Sequence, residues 1–318
     1  MKKTVPAAFF IPVVLSLFFS CTTLQSREEK AVDLYNKANI YREEGNYGKA
    51  VQLYINALEL YPEFSAAEYN LALVYSESDD YDKAAEVLEH LYDKFPDSVL
   101  ILRGLGWVYN KSGKYNVSVD FYRKALNVSP GSITLLSELA DIYIQLEENE
   151  KALPLLEQGA EISESTDIEI LLAETYYKSG SVKKAYLEVQ KILINNPKLP
   201  AAVLYAAEYS ERLELYSNAL KYRKDYSALG KGSKAENLFE ISRIELIYTG
   251  NYQEGLEYLE KALNEGFPDT EMLNKLVKSS KPAVKSAVRD LINTYKTNRE
   301  TENTDLEENT ESQPSGNS

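Results

Sequence analysis

Apolar and small side chains recur along this chain at spacings of three and four residues, which is the pattern of one buried helix face. Leu34, Ala38 and Tyr41 mark such a face, and Gly45-Asn46 interrupts it. A second helical pattern begins at once, with its predicted buried positions at Ala50, Tyr54 and Ala57. The two segments together predict a helical hairpin.

The hairpin pattern repeats at a fixed interval. Pro62, Pro96 and Pro130 each close a hairpin and lie 34 residues apart, and Pro197 follows after 67 more. A period of this length predicts a solenoid of helical hairpins. Small residues recur where the paired helices should cross closely: Ala72, Gly106, Ala140 and Ala173 on first helices, and Ala50, Ala84, Ser118, Ala152 and Ala185 on second helices.

With these small residues, its tyrosines and its closing prolines, the repeat strongly resembles the tetratricopeptide repeat (TPR). The resemblance implies an all-α fold, a right-handed superhelical solenoid of tandem hairpins with C-terminal capping helices. We expect five well-matched units in 31–198. Two degenerate units follow in 199–268, where Arg223, Ser242 and Arg243 depart from the repeat pattern.

Two further segments follow the repeats. Residues 269–296 are predicted to form capping helices, with Val284, Val288 and Ile292 buried. Residues 297–318 are rich in Asn, Glu, Thr and Ser and contain no aromatic residue. A segment of this composition cannot bury enough apolar surface to fold alone, so we expect a disordered acidic and polar tail.

The N-terminus has the layout of an export signal. Lys2 and Lys3 precede an uncharged, mostly apolar run that ends at Cys21. This layout resembles a bacterial lipoprotein signal, with residues 1–20 as the signal peptide, a lipid on Cys21, and residues 21–30 as a tether. An uncleaved anchor with an incidental cysteine is the alternative. The resemblance implies a cell-envelope protein, and we expect the periplasmic face of the outer membrane.

The composition disfavours several classes of function. The net charge is −14, which disfavours binding to nucleic acid because phosphates would be repelled. With one cysteine and one histidine, His90, the chain offers little for a Cys/His metal site or a nucleophile–histidine pair. We interpret His90 as a solvated surface residue. The sequence therefore predicts no enzyme activity, no cofactor and no metal.

The TPR resemblance also implies where a partner binds, because in that family the first helix of each hairpin lines the concave groove. The residues expected there are Tyr35, Asn39, Tyr69, Leu73, Arg103, Trp107, Asn110, Lys111, Asp141 and Tyr177. Trp107, the single tryptophan, either contacts a partner or packs between hairpins. Some TPR grooves clamp a C-terminal carboxylate with cations and two asparagines. Asn39 and Asn70 match the asparagines, but Tyr35, Leu100 and Gly104 stand at the cation positions, so no such clamp is expected.

The leading hypothesis is a membrane-anchored, non-enzymatic scaffold that binds a protein or an extended peptide in the groove. Assembly, secretion and transport complexes of the envelope are all compatible with it. The alternative that the resemblance to TPR lipoproteins implies is a small-ligand-binding module associated with a periplasmic transporter of the TRAP type. That alternative requires an enclosed apolar channel.

Overall fold

The computed structural model describes the backbone of residues 11–311 and the side chains of residues 26–298. Within this part of the chain every regular element is helical. The α-helices are α1 Ile11–Glu43, α2 Tyr47–Leu60, α3 Ser65–Glu77, α4 Tyr81–Lys94, α5 Val99–Lys111, α6 Tyr115–Val128, α7 Ile133–Gln145, α8 Asn149–Ile162, α9 Thr166–Lys178, α10 Val182–Asn195, α11 Pro200–Arg212, α12 Tyr216–Ala228, α13 Lys234–Ile244, α14 Tyr252–Asn264, α15 Thr270–Ser279 and α16 Pro282–Glu311.

Consecutive helices pair as hairpins, as the periodicity predicts. The first hairpin turns at Gly45, whose φ of 72° lies in the left-handed region that glycine adopts without strain. The Asn46 N–H donates to the Tyr41 carbonyl at 2.8 Å, which satisfies a carbonyl at the helix end. Later hairpins turn at residues with the same left-handed backbone: Asp79, Gly113, Glu147, Gly180, Glu214 and Gly250.

The described part of the chain divides into two compact units, one that ends at Ser163 and one that begins at Glu164. In the first unit the small residues lie where the paired helices meet. A Cβ added to Gly106 would lie 2.7 Å from the Tyr122 ring, so this crossing admits only glycine. The Ser118 hydroxyl donates to the Gly106 carbonyl at 2.5 Å. Ala50, Ala84 and Ala152, the matching residues of other second helices, are fully buried.

A cation also lies over a tyrosine ring in several hairpins. Lys49 lies 4.9 Å from the centroid of the Tyr41 ring, and Lys83 lies 5.4 Å from that of Tyr75. The same pairing recurs one or more periods on, at Lys151–Tyr143 and Lys184–Tyr176. Each contact joins the end of a first helix to the start of the second, and exposed contacts of this kind contribute about 0.5–1 kcal/mol.

The second unit ends in an apolar core, in which Val284, Val288 and Ile292 are buried as the sequence predicts. Two of the three departures from the repeat pattern, Ser242 and Arg243, lie on α13. Ser242 is buried, and Arg243 pairs with glutamates of α11 and α13. Directly after α13 the chain forms a π-helix, Glu245–Thr249.

The two ends of the described chain differ from the expected domain plan. At the N-terminus, α1 includes residues 11–30, which contain part of the predicted signal and the predicted tether. Residues 1–10, and the side chain of Cys21, lie outside the described residues. At the C-terminus, α16 continues past residue 297 to Glu311, because extending an existing helix needs no new nucleus. The predicted disorder of residues 312–318 falls outside the described residues.

Among the described residues, the structure contains no helix that combines the length and apolar character needed to cross a membrane.

Candidate functional site

The first helices of unit one bring six of the predicted groove residues onto one surface. We call it the first-helix surface, and it comprises Tyr35, Asn39, Tyr69, Leu73, Arg103 and Trp107. Its members are joined by hydrogen bonds at the α1–α3 end and by a shared pocket at the α3–α5 end.

At the α1–α3 end, two asparagines bond to each other. Asn70 Nδ2 donates to Asn39 Oδ1 at 2.9 Å and lies 3.1 Å from the Tyr35 hydroxyl. The buried Tyr54 hydroxyl donates to the same Asn39 oxygen at 2.5 Å. Burial raises the pKa of Tyr54, so the phenol stays a donor. The network fixes the Asn39 and Asn70 amides side by side.

At the α3–α5 end, a pocket of about 180 Å³ opens between aromatic side chains. Tyr69 and Trp107 line it, Leu73 and Leu100 add apolar surface, and Gly104 contributes no side chain. A Cβ at Gly104 would meet Leu88 at 3.4 Å, so the glycine leaves this space open. Ligand pockets usually measure about 300–1,000 Å³, so this one suits a single side chain.

Trp107 both packs and lines the pocket. Its ring meets Tyr81 of α4 edge-on, with centroids 6.2 Å apart, and Lys111 Nζ lies 5.6 Å from its centroid. The residue nevertheless remains 36% exposed. Trp107 can therefore pack between helices and also contact a partner, because one part of its ring lies against Tyr81 while another part lines the pocket.

Arg103 also lines the pocket, but its charge is already paired. Its Nη2 lies 2.6 Å from Glu138 Oε1, and its Nε lies 2.9 Å from Glu138 Oε2. The hydrogen bonds to Glu138 hold the pKa of Arg103 above its ordinary value. The pocket therefore presents a neutralised rim instead of a free cation.

A neighbouring pocket of about 340 Å³ lies on the other side of Tyr69. Asn70, Phe95 and Leu100 line it together with Tyr69. Burial raises the pKa of Tyr69, although Arg103 and Arg42 act in the opposite direction. Tyr69 thus separates two adjacent depressions, a spacing that suits successive side chains of one bound segment.

Comparison with known proteins supports the repeat assignment. Tetratricopeptide repeat family models match residues 41–105, 104–132 and 135–166. The chain is a tetratricopeptide repeat protein. No curated protein sequence matches it.

Solved structures show the same fold for this TPR protein. One is the C-terminal part of a TPR repeat-containing protein from Cytophaga hutchinsonii, at 17% identity and a TM-score of 0.62, with 78% of this chain and 99% of that chain covered. Another is a tetratricopeptide repeat protein from Parabacteroides merdae, at 16% identity and a TM-score of 0.54, with 79% and 98% covered. At these identities the likeness concerns the fold alone.

The other predicted groove residues of this TPR protein lie apart from the pocket between α3 and α5. Asn110 and Lys111 lie at the end of α5, and Asp141 is exposed on α7. Tyr177 belongs to the second unit, where its hydroxyl lies 3.0 Å from Arg212 Nε and its ring stacks on Tyr209 with centroids 4.7 Å apart. The pocket thus collects four of the ten predicted residues.

Sequence reasoning did not select several residues that complete the site. Leu100 and Gly104, which stand at two cation positions of the carboxylate clamp, both line the pocket. The absence of a polar side chain at these two positions is the sequence feature that could have indicated an apolar pocket. Glu138, the partner of Arg103, lies one period and one residue further along the chain, at the neighbouring first helix.

His90 has a partner that the sequence did not reveal. Its Nδ1 contacts the carboxylate of Glu68, a buried residue of α3, while Lys94 Nζ lies 3.4 Å from the second oxygen of that carboxylate. The His90 side chain is 61% exposed, in keeping with the predicted surface position. Among the described residues no group of three or more His, Cys, Asp or Glu side chains is arranged to hold a metal ion.

Proposed function

We propose that this TPR protein is a non-enzymatic scaffold that binds a protein or an extended peptide on the first-helix surface. The pocket between Tyr69 and Trp107 carries the proposal. Tyrosine and tryptophan are frequent binding hot spots, and here they flank a space of about 180 Å³ beside Leu73 and Leu100. One apolar side chain of a partner would fill that space.

The polar groups beside the pocket suit a peptide main chain. Asn39 and Asn70 are held in place by Tyr54 and Tyr35, and an amide group offers both donors and an acceptor. The Arg103–Glu138 pair neutralises the rim, and the whole chain carries a charge of −14. The preferred segment is therefore apolar with neutral or basic flanks, and nucleic acid is disfavoured.

The scaffold is anchored to a membrane through a lipid on Cys21, at the periplasmic face of the outer membrane. Support comes from the apolar run that ends abruptly at the single cysteine of the chain. Several acyl chains, each contributing about 0.8 kcal/mol per buried methylene, would hold the protein firmly. Anchoring places the first-helix surface within reach of an envelope assembly, secretion or transport complex.

The test is crosslinking and purification from native cells with full-length bait that keeps Cys21. The wild type is compared with Tyr69→Ala/Trp107→Ala and with Gly104→Leu, which fills the pocket while keeping both aromatic residues. Val128→Ala/Ile194→Ala is the matched control, because it removes exposed apolar side chains from second helices.

A protein captured by the wild type and the control, but lost from both pocket variants, supports the proposal. A partner that the pocket variants retain would move the interface away from the first-helix surface. Circular dichroism of each variant shows whether it is folded like the wild type, so that a loss of binding is not caused by unfolding.

A further inference from the structure

A second and larger cavity, of about 670 Å³, lies between α6 and α8 and reaches α7. It shares no lining residue with the pockets of the first-helix surface. Its walls include Leu126, Leu139, Pro154 and Leu155. The volume lies within the range of about 300–1,000 Å³ that small-molecule sites occupy.

The polar group that distinguishes this cavity is the hydroxyl of Tyr143. The residue is 4% exposed, and its Oη has no hydrogen-bond partner among the described residues. Buried polar atoms are nearly always bonded, so an orphan hydroxyl in the wall of a cavity points to a ligand that supplies the acceptor. A phenol is a good donor to a carboxylate oxygen.

The preceding repeat shows how the orphan hydroxyl arises. There the equivalent tyrosine, Tyr109, donates its hydroxyl to Glu89 of α4. One period later the position of Glu89 is occupied by Arg123, which offers no acceptor. The Arg123 guanidinium instead lies 5.9 Å from the centroid of the Tyr143 ring.

The same comparison explains the open volume. Phe121 stacks on Tyr109 with centroids 5.6 Å apart and meets Tyr92 edge-on at 5.6 Å, so aromatic rings fill the space between α4 and α6. One period later Leu155 stands in place of Phe121 and Leu126 in place of Tyr92, and both leucines are smaller than the aromatic residues. Three changes at equivalent positions thus replace a filled, bonded contact with a cavity.

The charges at the cavity favour an anion. Arg123 forms no ion pair among the described residues. Lys151 lies 5.5 Å from the centroid of the Tyr143 ring and pairs with Glu148 at 2.8 Å. Glu150 also lines the cavity and opposes a second negative charge on the ligand. A single carboxylate is therefore preferred over a dianion such as phosphate.

We infer that the cavity between α6 and α8 binds a monocarboxylate with an apolar body, its carboxylate held by the Tyr143 hydroxyl and the Arg123 guanidinium. The apolar body lies against Leu126, Leu139 and Leu155. A free organic acid has this chemistry, and so does the C-terminal residue of a peptide that ends in an apolar side chain. The site goes beyond the proposed scaffold function and does not depend on it.

The test is calorimetric titration of the folded protein with 3-phenylpropionate and with N-acetyl-Gly-Phe. Their uncharged counterparts, 3-phenylpropanol and N-acetyl-Gly-Phe amide, show whether the carboxylate is needed. Tyr143→Phe removes only the hydroxyl. Arg123→Glu, alone and combined with Leu126→Tyr and Leu155→Phe, rebuilds the contact of the preceding repeat. Lys124→Glu is the control, because it makes the same charge change at the next residue, which contacts Tyr92.

We expect at least one of the two acids to bind, and its uncharged counterpart to bind at least about tenfold more weakly. Tyr143→Phe should weaken binding of the acid about tenfold. Both Arg123→Glu variants should abolish binding, while Lys124→Glu should retain it. Tighter binding of 3-phenylpropionate identifies a free acid as the ligand type, and tighter binding of the peptide identifies a C-terminus. The inference is overturned if neither acid binds at millimolar concentration, or if Tyr143→Phe and Arg123→Glu bind like the wild type. Thermal unfolding separates these results from misfolding, because rebuilding the contact should preserve or raise the melting temperature.

Discussion

The guanidinium of Arg103 on α5 and the carboxylate of Glu138 on α7 form a two-point ion pair between neighbouring first helices. The contacts measure 2.6 Å from Nη2 to Oε1 and 2.9 Å from Nε to Oε2. A guanidinium held in this way fixes one wall of the pocket beside Trp107, because the planar fork restrains the side chain. The pair joins the first helices of two consecutive repeats.

The first prediction concerns the strength of this pair. In a double-mutant cycle with Arg103→Gln and Glu138→Gln, the coupling free energy should be about 0.5–1 kcal/mol, because the two side chains are 46% and 23% exposed. Urea unfolding at low and high salt measures it. The coupling should shrink in 1 M salt, and a coupling that is absent at low salt would contradict the two-point geometry.

A second prediction compares two glycines of α5. Gly106→Ala should destabilise the protein by about 1–3 kcal/mol, because its Cβ would lie 2.7 Å from the Tyr122 ring. Gly104→Ala should be neutral or stabilise by up to about 1 kcal/mol, because alanine favours the helix and meets Leu88 at an ordinary 3.4 Å. Urea unfolding of both variants decides the matter, and equal effects would show that the helix crossing is not tight at Gly106.

These two glycines also show what the sequence could and could not predict. The place of Gly106 in the repeat predicts a close helix contact, because the periodicity shows which face of each helix is buried. The open space beside Gly104 depends on what Leu88, Tyr69 and Trp107 leave unfilled, and no spacing rule measures that. The pairing of Arg103 with Glu138 likewise crosses between hairpins, where the pattern gives the register but not the choice of partner.

The third prediction concerns Glu245, a fully buried carboxylate at the start of the π-helix. Lys224 Nζ lies 3.3 Å from one oxygen, and Asn251 and Thr249 donate to the other. Glu245→Ala should destabilise the protein by about 1–3 kcal/mol, because it removes the buried acceptor that these three donors share. Chemical unfolding of the full chain measures the loss.

Glu254→Ala is the matched control for Glu245→Ala. Glu254 accepts from the same Lys224 at 2.7 Å, but its side chain is 43% exposed, so its removal should cost less than about 1 kcal/mol. Similar losses for the two variants would mean that the Lys224 charge, and not the buried carboxylate, organises the π-helix.

A fourth prediction concerns alkaline pH. Burial, together with the hydrogen bond to Glu89, raises the pKa of Tyr109 to about 12, against about 10 when unfolded. The folded state then keeps a proton that the unfolded state loses, so stability is complete below pH 10 and falls as the pH rises towards 12. Tyr109→Phe should make the free energy of unfolding fall less steeply between pH 10 and 12. An unchanged slope would assign the alkaline loss to other tyrosines.

The fifth prediction tests the membrane anchor at Cys21. Because the chain has no other cysteine, a palmitate analogue that enters the protein through a thiol has one site. In the native host the wild type should incorporate the label and sediment with membranes, whereas Cys21→Ser should lose the label and leave the membrane fraction. Two or more acyl chains give stable binding where one gives only reversible binding, so the difference between wild type and variant should be large. Ser20→Ala is the control, because it changes the adjacent residue and keeps the thiol. If Cys21→Ser remained in the membrane fraction without label, the apolar leader and not a lipid would hold the protein there.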